Sequence, residues 1–93
     1  MSLIIIHRKS ELFSKMGDLK ILLNGNKIAN ISNGETKSFE IEKGVFTLQT
    51  KSFFVNSQII KFNIGSNEKK AFVVSAFGKG YWKTFFNLRE VKL

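Results

Sequence analysis

Two Asn-Gly pairs, Asn24-Gly25 and Asn33-Gly34, stand either side of the alternating segment Lys27-Ile28-Ala29-Asn30-Ile31, and Gly44 follows one strand length later. A type I′ turn needs positive φ at both central residues, and Asn followed by Gly reaches that conformation at the least cost. Placed between apolar stretches at even spacing, the pairs predict a chain that folds back on itself in antiparallel strands. No other feature narrows the fold as far.

A chain of 93 residues carries enough apolar surface for one core and too little for two, so a single domain over residues 1–93 is expected. Its 10 Phe are the natural filling of that core, since each buried aromatic removes roughly 150–250 Å² from water. Proline and cysteine are both absent. Without Cys there is no disulfide, no thiolate metal site and no thiol nucleophile, and the core must hold the fold alone.

The formal net charge is +8. Of the basic residues only Arg8 and Arg89 are arginines, and lysines 15, 20, 27, 37, 43, 51 and 61 fall almost one to each strand or turn. Dispersion of this kind fits solvated faces and protected sheet edges. A nucleic-acid footprint concentrates Arg and Lys on one surface between aromatic platforms, and is the less favoured reading. Leu3–Ile6 is too short for the core of a signal peptide and far too short for a membrane span. A cytoplasmic location is therefore expected.

Periodicity places the strands. Residues 3–9 form a β-branched run, and residues 10–17, ambiguous in period, read as a connection with room for a helical turn. Leu19, Ile21 and Leu23 alternate inward with Lys20 outward. Ile28 and Ile31 fall on opposite faces, which predicts a bulge or a twisted short strand. Phe39 and Ile41, then Phe46 and Leu48, then Ile60, Phe62 and Ile64 continue the inward set. Gly65-Ser66-Asn67-Glu68 is a turn, and residues 71–77 are apolar enough to be covered on both faces. Residues 81–93 return as a last strand. The fold class is all-β: a single antiparallel β-sandwich of seven or eight short strands, in a meander or Greek key.

Catalytic residue types are scarce. His7 is the lone histidine and reads as a packed or surface strand residue. Glu40 and Glu42 share one face at a two-residue spacing, but with Lys37 and Lys43 beside them they read as an exposed charged surface. No serine lies in Gly-x-Ser-x-Gly, and Gly78-Lys79-Gly80 lacks the rest of a phosphate loop. The chain is read as non-enzymatic, with no catalytic residue, metal or cofactor.

Two segments are candidates for contact. Phe53-Phe54-Val55 joins two expected strands, and three consecutive apolar residues cannot all follow strand alternation. They are either a plug beneath the sheet or an exposed patch. In Tyr81-Trp82-Lys83-Thr84-Phe85-Phe86 aromatic residues occupy both faces, which fits either a strand buried on both sides or an edge covered by another subunit. The interaction candidates are thus Phe53, Phe54, Tyr81, Trp82, Phe85 and Phe86, and the preferred partner is a protein or a second copy of the chain, giving a homo-oligomer. The alternative is a weak binder of nucleic acid or anionic surfaces, through the dispersed lysines and exposed aromatics.

The order of segments also carries a resemblance. Lys20-Ile21-Leu22-Leu23-Asn24-Gly25-Asn26-Lys27-Ile28, then Ile31-Ser32-Asn33-Gly34-Glu35, then Phe39-Glu40-Ile41-Glu42-Lys43-Gly44-Val45-Phe46-Thr47-Leu48-Gln49 resemble the strand-turn-return layout of PEGA-type small β-domains. The similarity covers about residues 4–64, and with no proline the chain lacks the Pro-Glu-Gly-Ala turn itself. The resemblance implies a transthyretin-like or immunoglobulin-like sandwich used as a structural or surface-binding module, similar to short cytoplasmic bacterial proteins, with no catalytic residue to carry over.

Overall fold

Alternation accounts for most of the strands in the computed structural model of the protein, which describes residues 1–10, 17–52, 56–78 and 84–92. In chain order they are β1 (Ser2–Arg8), β2 (Leu19–Leu23), β3 (Asn26–Ile31) and β4 (Thr36–Ile41), followed by β5 (Gly44–Lys51), β6 (Ile60–Ile64), β7 (Lys69–Gly78) and β8 (Thr84–Val91). Two four-stranded sheets result: sheet A in the order β4-β1-β7-β8 and sheet B in the order β3-β2-β5-β6. The described residues contain no helix. The expected all-β class is what forms, as two packed sheets in a sandwich-like arrangement with eight strands among the described residues.

Sheet B is antiparallel throughout. Sheet A is mixed, because β1 runs antiparallel to β4 but parallel to β7, with Leu3 opposite Lys69 and Arg8 opposite Val74. Parallel pairing was not expected from the turn pattern. A parallel pair needs a long crossover connection, and β1 and β7, separated by most of the chain, have one.

The two Asn-Gly pairs behave differently. Asn24 (φ 52) and Gly25 (φ 81) both take positive φ and join β2 to β3 as a two-residue hairpin, the expected type I′ combination. At the second pair Gly34 takes φ 78 while Asn33 does not enter the positive region. Here Glu35 N–H donates to Ser32 O at 2.9 Å, and the turn carries the chain from β3 in sheet B to β4 in sheet A. Dipeptide chemistry sets local φ; it does not choose the sheet in which the next strand lies. The chain is therefore not a simple meander. It changes sheet again from β4 to β5 and from β6 to β7, the latter at a turn in which Gly65 N–H donates to Glu68 Oε1 at 2.7 Å.

The expected irregularity in β3 is a bulge. Ile21 pairs with Ala29 but Leu22 pairs with Lys27, so Ile28 is the extra residue and the strand keeps Ile31 buried while Ile28 is 38% exposed.

Inside, Ile4, Ile6, Phe72, Val74 and Leu88 of sheet A face Leu19, Ile21, Ile31, Leu48, Phe62 and Ile64 of sheet B. Phe62 stacks on Phe46 of its own sheet at 5.8 Å and meets Phe72 of the other sheet at 5.0 Å. That second contact joins the layers at their bulkiest point. Burying each such side chain contributes on the order of 1.5–3 kcal/mol.

Candidate functional site

The residues singled out as contact candidates divide. Phe53, Phe54, Tyr81 and Trp82 lie outside the described residues. Phe85 and Phe86 belong to β8, where their backbones pair with Phe77 and Ala76 of β7.

On sheet B the inward set (Ile21 with Thr50, Leu23 with Leu48, Phe46 with Phe62) leaves the intervening residues on the outer face, where Lys20, Lys27 and Lys61 are exposed and Leu22, Thr47, Gln49 and Lys51 half-buried. Reading across the strands, Asn30, Lys20 and Lys51 form one row, Lys27, Leu22 and Gln49 the next, and Thr47 with Lys61 a third, beyond which Val45 sits opposite Asn63. Neither Asp nor Glu occurs in any strand of this sheet. The nearest carboxylate in the chain, Asp18, precedes β2 and accepts a hydrogen bond from Ser32 Oγ at 2.8 Å. The described ion pairs lie elsewhere, Lys37 with Glu35 at 3.8 Å and Lys70 with Glu90 at 3.4 Å.

Two distinct roles are visible among these lysines. Lys27 and Lys61 are on the edge strands β3 and β6, just as Lys37 and Arg89 are on the edges of sheet A. A charge on each edge discourages strand addition, in keeping with the expected edge protection. Lys20 and Lys51 are different. They occupy the central strands β2 and β5, directly opposite one another. Cβ atoms of such a pair stand about 4.5–5.5 Å apart, and like charges so placed destabilise a sheet. Edge protection does not account for them.

Sheet A presents another surface. Its outward residues include Leu3, Ile5 and His7 on β1, Ala71 and Val73 on β7, and Arg89 and Val91 on β8, in rows such as Ser38, Ile5, Ala71 and Val91. Leu3, Ile5, Val73 and Val91 are half-buried, Ala71 is buried, and Glu40, Lys69 and Arg89 stand exposed around them. The expected double coverage of β7 is thus met on the inner face and only in part on the outer one.

Among the described residues, groups with catalytic potential do not converge. His7 Nδ1 and Thr36 Oγ1 share a hydrogen bond of 2.7 Å across the β1–β4 ladder. Glu40 and Glu42 are both exposed. Among the described residues no group of three or more His, Cys, Asp or Glu could hold a metal ion. Arg8, which composition alone did not mark, is 2% exposed at the end of β1. Its Nη1 donates to Gly17 O at 2.7 Å and to Ile31 O at 3.1 Å, tying sheet A to the end of β3. Its alternation with Ile4 and Ile6 was the one available sign that it points inward.

No family model, curated protein or solved structure matches the chain. Among the described residues no helix is long and apolar enough to cross a membrane.

Proposed function

We propose that this chain is a small non-enzymatic binding module that docks onto anionic surfaces through the outer face of sheet B. The observation that carries this reading is the Lys20–Lys51 pair, set on central strands in a sheet whose strands contain no carboxylate. A cross-strand repulsion that lowers stability is relieved when an anion lies over it. The layout we favour is transthyretin-like. β1 and β2 lie in different sheets and the strands divide four and four, whereas immunoglobulin constant domains keep their first two strands in one sheet and divide four and three.

Retention on immobilised heparin tests the reading. Retention should fall steeply with salt as counterion release is suppressed. Combining Lys20→Glu with Lys51→Glu should shorten it more than combining Lys69→Glu with Lys92→Glu, which alters net charge equally on sheet A. Equal effects would show net charge, not the face, to be responsible and would sink the proposal.

Self-association is a second reading, favoured by the half-buried apolar rows Leu3, Ile5, Ala71, Val73 and Val91 on sheet A. These rows continue toward β8, where the aromatic candidates Phe85 and Phe86 reside. The occupant is a second copy of the chain. Light scattering should then give a dimer mass that Ile5→Lys reduces to that of a monomer. A monomer mass for the unaltered protein at high concentration would exclude it.

A further inference from the structure

Resting on the sheet B reading, we propose that the anionic surface is a lipid bilayer, met flat by the outer face of sheet B. The charge alone would serve any polyanion; the aliphatic residues that stand beside the lysines, interspersed with Asn30, Gln49, Thr47 and Asn63, decide among them. Val45 on β5 is 57% exposed, Ile59 immediately before β6 is 62% exposed, and the bulge residue Ile28 on β3 is 38% exposed. Leu22 lies half-buried between Lys27 and Gln49. Of the large apolar side chains that stand exposed among the described residues, only Met1 is neither in sheet B nor next to it.

A single nucleic-acid strand calls for something else. Its bases stack on aromatic rings, but the aromatic residues of sheet B, Phe46 and Phe62, pack inward on one another and on the core. Its phosphates are best gripped by the bidentate fork of Arg, and no strand of sheet B contains one. Lysine suits a headgroup layer better. Its ammonium is a point charge on an apolar stem that can lie along a hydrocarbon boundary while the charge stays in the polar layer. Short aliphatic side chains between such lysines can enter that boundary.

The dimensions also fit. Four strands at their usual spacing span about 14 Å, and β5 from Lys51 to Val45 runs about 20 Å, so the charges form a flat field and not a single pocket. Each lysine near an anionic leaflet strengthens binding by about fivefold, an attraction that decays within one Debye length.

Co-sedimentation of the whole protein with vesicles tests this. Phosphatidylserine-rich vesicles should pull it down at low salt and pure phosphatidylcholine vesicles should not. Combining Lys20→Glu with Lys51→Glu should weaken binding at least about tenfold. Combining Val45→Ser with Ile59→Ser should also weaken it, and because both positions are exposed these variants keep the fold, which circular dichroism verifies. A single-stranded oligonucleotide and poly-glutamate form the remaining arms. Binding to either of these without binding to vesicles overturns the lipid proposal and leaves the anion-binding reading of sheet B standing. Absence of binding in every arm overturns both. Vesicle binding indifferent to the aliphatic pair also overturns it, since a purely coulombic film needs no bilayer.

Discussion

The two outer faces of this sandwich follow the same alternation and end with opposite characters. Sheet A sets half-buried apolar rows among charges of both signs, Glu40 against Lys69 and Arg89. Sheet B sets Lys20, Lys27, Lys51 and Lys61 among neutral and aliphatic residues, with no carboxylate in its strands. The inner faces, by contrast, are chemically alike and meet at Phe62 and Phe72. Folding constrains the inner set alone. The outer sets are free to differ, and their difference is where a working surface is to be sought.

The contrast can be broken from the inside first. Phe72→Ala removes the ring that meets Phe62 and should cost about 3–5 kcal/mol, read by urea denaturation. Both faces should then be lost together. Next in size are the turns. Gly34→Ala strains a left-handed backbone (φ 78) and brings the new Cβ to 3.4 Å from Ser10 Cβ, whereas Gly25→Ala (φ 81) meets open space. Thermal melts should show a loss of about 1–2 kcal/mol for the former and about 1 kcal/mol or less for the latter.

Thr50→Val should act in the opposite direction. Among the described residues Thr50 Oγ1 is buried and has no hydrogen-bond partner, so replacing the hydroxyl with a methyl should stabilise the fold by about 1 kcal/mol. Smaller, but sharper for the comparison, is Lys51→Glu. It turns a like-charge pair into an attractive one and should raise stability by about 0.2–1 kcal/mol while lowering binding to anionic vesicles. A variant both more stable and weaker in binding would separate the two demands on sheet B. Last, Glu90→Gln removes the exposed Lys70–Glu90 pair of sheet A and should change stability by less than about 0.5 kcal/mol.

Much of this was legible in the order of residues. Leu19, Ile21 and Leu23 announce β2, Ile60, Phe62 and Ile64 announce β6, and Ile28 with Ile31 announces an irregular strand, bulged or twisted, because all three signals are local. The opposition of Lys20 and Lys51 was not legible. Each lysine looks like an ordinary solvated strand residue until β2 is known to pair with β5, and no short-range pattern reports that pairing. The same limit hid the change of sheet at Asn33-Gly34, where turn chemistry is satisfied whichever sheet receives the next strand. The aromatic candidates rest on a local pattern, apolar residues in succession that strand alternation cannot place on one face, whereas the charged face exists only once distant strands lie side by side.

The parallel ladder between β1 and β7 has a consequence for how the protein comes into being. Strand β1, with Ile4, Ile5 and Ile6 in succession, precedes its central partner by most of the chain. During synthesis it can find β4 first, and must wait for residues 69–78 before its other edge is paired. Until then one side of an isoleucine-rich strand is open to any neighbouring strand, including that of another nascent copy. Loop closure over such a distance also delays the decisive step, and topologies of this kind fold in milliseconds to seconds, not microseconds. The hazard is greatest while the chain is being made, before β7 is there to close the sheet.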